Sequence, residues 1–268
     1  MPETVKYGLL GHPLGHSFSR QFHNQRFEQL GIDAVYENFD LEDIGMLPEL
    51  LSNEPALRGL NVTIPYKQQV MQYLDELDPL AERIGAVNVI RVSKAMPGIV
   101  GKAVPSLHLK GYNSDIVGFR ESIRPMLQEA GIIDVSGRAI GHHKSLILGT
   151  GGASRAIFVA LQDFGLEPIY VSRTAAPGRL TYADLTVEVM AECPVIVNCT
   201  PLGMFPKVDA CPDIPYHMLN PRHVCFDAVY NPAETLFMKK AAAHGAAVKC
   251  GYDMLVGQAI ESYELWNK

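Results

Sequence analysis

The sequence predicts an α/β protein with largely parallel sheets, built as two compact units. Three observations lead there. Short apolar runs alternate with amphipathic helical stretches along the chain. The alternation is broken by a polar stretch at 131–144 and then restarts. The second series opens on a hydrophobic strand that feeds a glycine turn, Leu146–Ser154.

In the first unit, strands are expected at Lys6–Leu10, Val35–Leu41, Arg58–Ile64 and Ala86–Val92. Helices are expected near Phe18–Leu30 and Tyr66–Leu77. Residues 93–111 carry Pro97, Gly98, Gly101 and Pro105 and read as a turn-rich excursion. A helix follows over Asp115–Ala130, with Ile116, Phe119, Ile123 and Met126 on one face. Beyond the polar linker, the pattern gives strand Ser145–Leu148, helix Ala153–Phe164 and strand Pro168–Ser172. Later strands fall at Val195–Asn198, Val224–Ala228 and Ala247–Cys250, and helices at Ala233–His244 and Tyr252–Trp266. The expected boundaries are 1–116, completed by 251–268, and 117–250.

The 268 residues suffice for two domains with real cores, and 47% hydrophobic with 19% charged residues is a globular composition. No apolar run approaches the ~18 residues that span a bilayer. The first residues pass directly into apolar Val5–Leu10 without a basic flank or a cleavage signal, so a cytoplasmic location is expected. A net charge of −6 excludes a general nucleic-acid binder. Cys193, Cys199, Cys211, Cys225 and Cys250 form no C-x-x-C pair, and the His142–His143 pair has no ligand-spaced carboxylate or thiol. Neither a disulfide framework nor a metal is expected.

Gly149-Thr150-Gly151-Gly152-Ala153-Ser154 follows a strand and opens a helix. Gly149 permits the tight turn, Gly151 lets backbone approach a pyrophosphate, and the N–H groups at Gly152 and Ala153 face it. An ordinary strand–turn–helix joint has the same pattern. The next strand ends in Ser172-Arg173-Thr174, where an NAD-binding unit carries an acidic residue; Arg173 can instead pair with a 2′-phosphate. Arg179 is either a second cation or a solvated loop residue.

In Asn61-Val62-Thr63-Ile64-Pro65-Tyr66-Lys67, Val62 and Ile64 point to one strand face, Asn61 and Thr63 to the other. Pro65 suits the start of a helix, which would set Lys67 in a first turn with Val70, Met71 and Leu74. The macrodipole and partial burial there would lower its pKa; a snorkelling surface lysine is the alternative. Asp115 starts a helix, as a cap or as a carboxylate at a loop mouth able to bond an ammonium. Ser17 and Ser19 lead a helix and can bind a carboxylate or cap it. Asn88 in the middle of a strand and Gln258 on the apolar face of the last helix each need a partner.

Together these segments resemble the shikimate dehydrogenase family over nearly the whole chain. The matching pieces are His16–Ser19, Asn61–Lys67, Gly85–Asn88, Gly111–Asp115, Gly149–Ser154, Asn198–Met204, Val229–Pro232 and Met254–Gln258. The resemblance implies an N-terminal α/β substrate domain, a Rossmann-type NADP domain, and a C-terminal helix that returns to the first domain. Ser17 and Ser19 would hold a substrate carboxylate. Thr63, Asn88 and Gln258 would bind ring hydroxyls, with Tyr230 near substrate and nicotinamide. Lys67 and Asp115 would be the catalytic pair, and Gly149, Gly151, Gly152, Ala153, Ser172, Arg173, Thr174, Arg179 and Thr200 would line the cofactor. The implied reaction interconverts 3-dehydroshikimate and shikimate, on the route to aromatic amino acids. Arg20, Val89, Ser114 and Ser172 depart from the family pattern. The alternatives are a quinate/shikimate dehydrogenase with broader substrate or cofactor use and a non-catalytic NADP-binding sensor. Small molecules are the expected partners, with no nucleic acid or membrane, and the chain acts as a monomer or homodimer.

Overall fold

The computed structural model describes residues 4–15 and 17–268; His16 of the first matching segment lies outside them. Contacts divide the chain into two units, one running to Ser114 and including Ala259–Lys268, the other spanning Asp115–Gln258.

The first unit contains β1 (Val5–Gly11), α1 (Phe18–Leu30), β2 (Ala34–Asp40), α2 (Leu47–Asn53), β3 (Leu57–Val62), β4 (Glu76–Leu77), α3 (Pro79–Ile84), β5 (Val89–Lys94) and β6 (Leu107–Tyr112). Its sheet has the order β2-β1-β3-β5-β6-β4. β1 runs parallel to β2 and β3, but β5 is antiparallel to both β3 and β6. The sheet is therefore mixed, not largely parallel. The expected excursion at 93–111 is a hairpin: Lys94 pairs with Leu107, and the Pro- and Gly-rich residues between them form its loop. A connection this direct returns the chain antiparallel, since a parallel return needs a crossover.

Strand alternation gives this sheet two apolar faces. Leu10, Leu60, Val62, Ile90 and Val92 pack with Leu47, Leu51, Val70 and Leu74 on one side. Tyr7, Tyr36, Val89 and Tyr112 pack with Phe27, Leu265 and Trp266 on the other. The segment expected as helix Tyr66–Leu77 is a series of turns leading into a short 3₁₀ helix, Gln69–Tyr73, with Leu74 extended. Tyr66, Val70 and Leu74 still reach the core, so the apolar spacing reports burial, while the α-helical macrodipole invoked for Lys67 is not formed.

The aromatic side contains His23, fully buried and stacked on Tyr36 at 4.6 Å between ring centroids. Neither ring nitrogen has a hydrogen-bond partner among the described residues. Burial first, and the nearby Arg26 charge second, push its pKa down to about 3. The unfolded chain takes up this proton below pH ~6.5, whereas the folded one refuses it until about 3. Stability from this group is thus present above pH ~6.5 and is lost as pH falls toward the folded value. Acidification from pH 7 to 5 is expected to cost roughly 2 kcal/mol through His23 alone. Urea unfolding at the two pH values checks this: the difference should shrink by that amount in His23→Leu, and an unchanged difference would refute the assignment.

The second unit contains α4 (Asp115–Glu129), β7 (Lys144–Leu148), α5 (Gly152–Asp163), β8 (Glu167–Ser172), β9 (Arg179–Thr181), α6 (Val187–Glu192), β10 (Val195–Asn198), β11 (Val224–Asp227), α7 (Leu236–Ala243) and β12 (Ala247–Cys250). It also holds the first half of α8 (Tyr252–Trp266). The sheet order is β12-β11-β10-β7-β8-β9, with every pairing parallel. This is the doubly wound arrangement of a Rossmann-type unit, and its topological switch point lies between β7 and β10. The connection expected as a polar linker buries Ile132 and Ile133 and closes a small bridge between Ile133 and Ala139. Phe119 of α4 meets Phe226 of β11 edge-on at 5.1 Å. Helix α8 crosses α4 at Gly118, where an added Cβ would lie 2.4 Å from the Met254 carbonyl oxygen, so only glycine permits this approach.

Candidate active site

In the first unit, polar residues collect where β1 and β3 end and β5 begins. The Thr63 N–H donates to the Leu10 carbonyl at 2.9 Å, and the His12 N–H to the Ile64 carbonyl at 3.1 Å. The loop between β1 and α1 is also pinned by Asp40, which accepts from His12 Nδ1 at 2.7 Å and from the Leu14 N–H at 2.9 Å. The Leu14 bond, then the histidine, holds the Asp40 carboxyl below its ordinary pKa. Ser17 accepts the Arg20 N–H at 3.2 Å and caps α1, which places Ser19 in the first turn.

Lys67 is half-buried in the turn after β3. Its neighbour Tyr66 is locked from both ends, donating its hydroxyl to the Leu41 carbonyl at 2.6 Å and its N–H to the Thr63 carbonyl at 2.9 Å. The Lys67 carbonyl accepts the Val87 N–H at 2.7 Å. Asn88 comes next, and it stands just before β5 rather than in the middle of a strand. Its carbonyl accepts the Val62 N–H at 2.8 Å, so the lysine turn and the asparagine are backed by adjacent pieces of one sheet edge.

In the second unit, the carboxyl ends of β7 and β10 carry the glycine turn and Thr200. Gly149 has φ of 95°, and an added Cβ would lie 2.9 Å from Thr200 Cγ2; glycine is required on both counts. Gly151 caps α5 with no side-chain hydrogen bond, no acidic residue occupies the first turn, and nothing lies within 4 Å of an added Cβ. The backbone N–H groups of Gly152 and Ala153 have no intrahelical acceptor in such a turn. A bare helix start at the switch point suits a pyrophosphate. At the end of β8, Ser172 Oγ accepts the Thr174 N–H at 3.2 Å and so shapes the turn that leaves Arg173 exposed. Arg179 is in register with Tyr170, below the carboxyl end where Arg173 sits.

The Thr200 loop rests on a buried network. Thr200 donates from its N–H and its Oγ1 to Asn198 Oδ1, at 3.0 and 2.7 Å. Asn198 Nδ2 donates to Asp227 Oδ1 at 2.9 Å, and Thr235 Oγ1 donates to Asp227 Oδ2. The Val229 N–H also donates to Asp227, at 3.0 Å, directly before Tyr230.

A family model described as the shikimate dehydrogenase substrate binding domain matches residues 9–90. A protein named Shikimate dehydrogenase (NADP(+)), from Caldanaerobacter subterraneus subsp. tengcongensis, is 35% identical over 98% of this chain and 92% of its own. The chain belongs to the shikimate dehydrogenase family. Among solved structures, shikimate 5-dehydrogenase from Thermus thermophilus in complex with NADP(H) and shikimate is 31% identical. Its TM-score is 0.76, over 98% of this chain and 93% of that one. Quinate dehydrogenase from Corynebacterium glutamicum in complex with NAD is 25% identical, with a TM-score of 0.79 over the same shares, 98% and 93%.

Of the positions singled out by resemblance to shikimate dehydrogenases, Ser17, Ser19, Thr63, Lys67 and Asn88 belong to the first unit and lie at one end of its sheet. Asp115, Tyr230 and Gln258 belong to the second. Asp115 is buried at the start of α4. Tyr230 is 37% exposed, and burial of the rest of its ring pushes its phenol pKa up. Gln258 Nε2 donates to the Leu255 carbonyl at 2.9 Å within α8. Sequence reasoning passed over Asp227, Thr235, Tyr36 and Ser262. The signal for Asp227 was present, since Val195–Asn198 and Val224–Asp227 are apolar strands that each end in a buried polar side chain.

Proposed function

We propose that the chain is an NADP-dependent dehydrogenase that interconverts 3-dehydroshikimate and shikimate in the cytoplasm, without nucleic-acid or membrane partners. The reading rests above all on its full-length kinship with proteins named for that activity. The first unit is the substrate domain, and the second holds the dinucleotide.

Gly149, Gly151, Gly152, Ala153 and Thr200 hold the pyrophosphate region, Arg173 takes the 2′-phosphate, and Ser172 and Thr174 shape its turn. The dinucleotide held there would supply the hydride for reduction of the substrate carbonyl carbon, and its oxidised form would take it back. Ser17 and Ser19 orient the carboxylate. Thr63, Asn88, Tyr230 and Gln258 select the ring hydroxyls. Negative charge builds on the carbonyl oxygen during reduction; Lys67, oriented by Asp115, stabilises that charge and delivers the proton there. In oxidation the same pair takes the proton from the hydroxyl.

Initial rates with shikimate and quinate, each against NADP⁺ and NAD⁺, test the reading. Shikimate with NADP⁺ is expected to be the best combination, and no shikimate-dependent NADPH formation would refute it. A quinate-using or NAD-using enzyme is the second reading, favoured by the likeness to a quinate dehydrogenase bound to NAD; faster turnover of quinate or of NAD⁺ would select it. Arg173→Ala is expected to raise KM for NADP⁺ by roughly 10-fold or more, since a charge-assisted phosphate contact is lost. KM for NAD⁺ should barely move. Equal effects on both dinucleotides would remove the 2′-phosphate role.

A further inference from the structure

Behind the polar edge of the first unit lies a buried chain of hydrogen bonds that the proposed chemistry does not use. Tyr36 donates to Asn61 Oδ1 at 2.8 Å, and Asn61 Nδ2 donates to Ser262 Oγ at 2.8 Å. Ser262 Oγ meets Ser114 Oγ at 3.1 Å. Ser114 Oγ accepts from Asn88 Nδ2 at 3.0 Å. Tyr36, Asn61, Asn88, Ser114 and Ser262 are all at most 5% exposed.

Backbone groups set the direction of this chain. The Ser114 N–H, which can only donate, points at Asn88 Oδ1 at 2.7 Å. The Asn88 carbonyl, which can only accept, faces Asn61 Nδ2 at 3.3 Å. Both carboxamides are therefore fixed with their NH₂ groups toward the two serines. A hydroxyl can both donate and accept, so Ser262 and Ser114 can each receive an amide proton and still share one bond between them. Ser262 is the link joining the Asn61 branch, which leads to Tyr36, with the Ser114 branch, which leads to Asn88. It is 148 residues from Ser114 in sequence and arrives on the last half of α8.

We propose that Ser262 is a positioning residue for the polyhydroxylated ring acid: through Ser114 it holds Asn88 in its substrate-binding orientation from behind, without touching substrate itself. Tyr36 acts on Ser262 through Asn61, whose Oδ1 it holds. The inference deepens the shikimate reading and rests on it.

Ser262→Ala removes the shorter of the two bonds made by Asn61 Nδ2 and one of the two side-chain partners of Ser114 Oγ. It is expected to raise KM for shikimate by about 5- to 10-fold, with a smaller fall in kcat and no change in KM for NADP⁺. Ser262→Thr, which keeps the hydroxyl, should restore KM toward the unmodified value. Tyr36→Phe keeps the ring stacked on His23 and should shift the shikimate KM in the same direction by less. A role in stability alone would lower Tm without this split between the two substrates. A shikimate KM within about twofold of the unmodified protein in folded Ser262→Ala overturns the proposal. So does an equal rise for both substrates. If Ser262→Ala does not fold, an unaltered shikimate KM in Tyr36→Phe overturns it. Unmodified protein that does not turn over shikimate would overturn the functional reading itself, which the variants alone cannot do.

Discussion

Lys67→Ala is expected to lower kcat about 100-fold or more while shikimate still binds, because a positioned acid–base group is typically worth that factor. The structure supplies the rigidity this role needs. The lysine follows a tyrosine held at its hydroxyl by Leu41 and at its N–H by Thr63, and its own carbonyl is bonded to Val87. Its backbone is therefore tied to β3 and to the segment entering β5, the two pieces of chain that carry Thr63 and Asn88. An ammonium presented from such a turn can meet a carbonyl oxygen whose neighbouring hydroxyls are already fixed. The expected pattern is loss in kcat and in kcat/KM together, since the interaction matters most in the transition state. Steady-state kinetics with a separate measurement of shikimate binding, by ligand-induced change in Tm or in protein fluorescence, checks both halves. Near-normal turnover by the alanine variant would remove Lys67 from the mechanism.

Lys67 stands out in the sequence by its setting, but the α-helical first turn expected around it is not formed. Tyr66, Val70, Met71 and Leu74 have helical spacing, and three of them are buried. The chain buries them through turns and five residues of 3₁₀ helix, because Tyr66 and Lys67 are bonded sideways to neighbouring segments. Periodicity reports which side is covered and cannot see those lateral bonds. Strand β6 was hidden for a related reason: its partner is β5, reached across a loop rich in proline and glycine, and pairing across a loop leaves little local trace. By contrast, Val195–Asn198, Ala247–Cys250 and Tyr252–Trp266 fall where the pattern put them, since apolar strands and an amphipathic helix carry their signal locally. The same division runs through the site. Serines at the start of α1 and an arginine after β8 are recognisable by their place relative to an element. That Asn61 bonds Ser262, 201 residues away, depends on how α8 folds back, and no spacing rule contains it.

Asp227→Ala is expected to destabilise the protein by about 3–5 kcal/mol, the usual cost of removing one member of a buried charged network. The carboxylate is fully buried and accepts from Asn198, Thr235 and the Val229 N–H. Alanine would leave three buried donors unsatisfied. It would also release Asn198, whose Oδ1 holds Thr200, and Thr235, which caps α7. Asp227→Asn keeps an acceptor for Asn198 and Val229, so it should cost much less and separates charge from shape. Burial pushes the Asp227 pKa up to about 6, with the three donors opposing the rise. The folded state therefore holds this proton more tightly than the unfolded chain, whose aspartate titrates near 3.9. The contribution is fully present below that lower value and is lost as pH rises through about 6. It is opposite in sign to the contribution of His23. Relative to the unmodified protein, Asp227→Asn should accordingly gain stability as pH rises from 4 to 7, by roughly 2 kcal/mol over the window. Urea unfolding of both proteins across that range reads the difference directly, and His23 cancels because both contain it. Parallel curves would mean that the carboxylate is not paying a desolvation cost at neutral pH, and that Asn198 and Thr235 are held by something other than its charge.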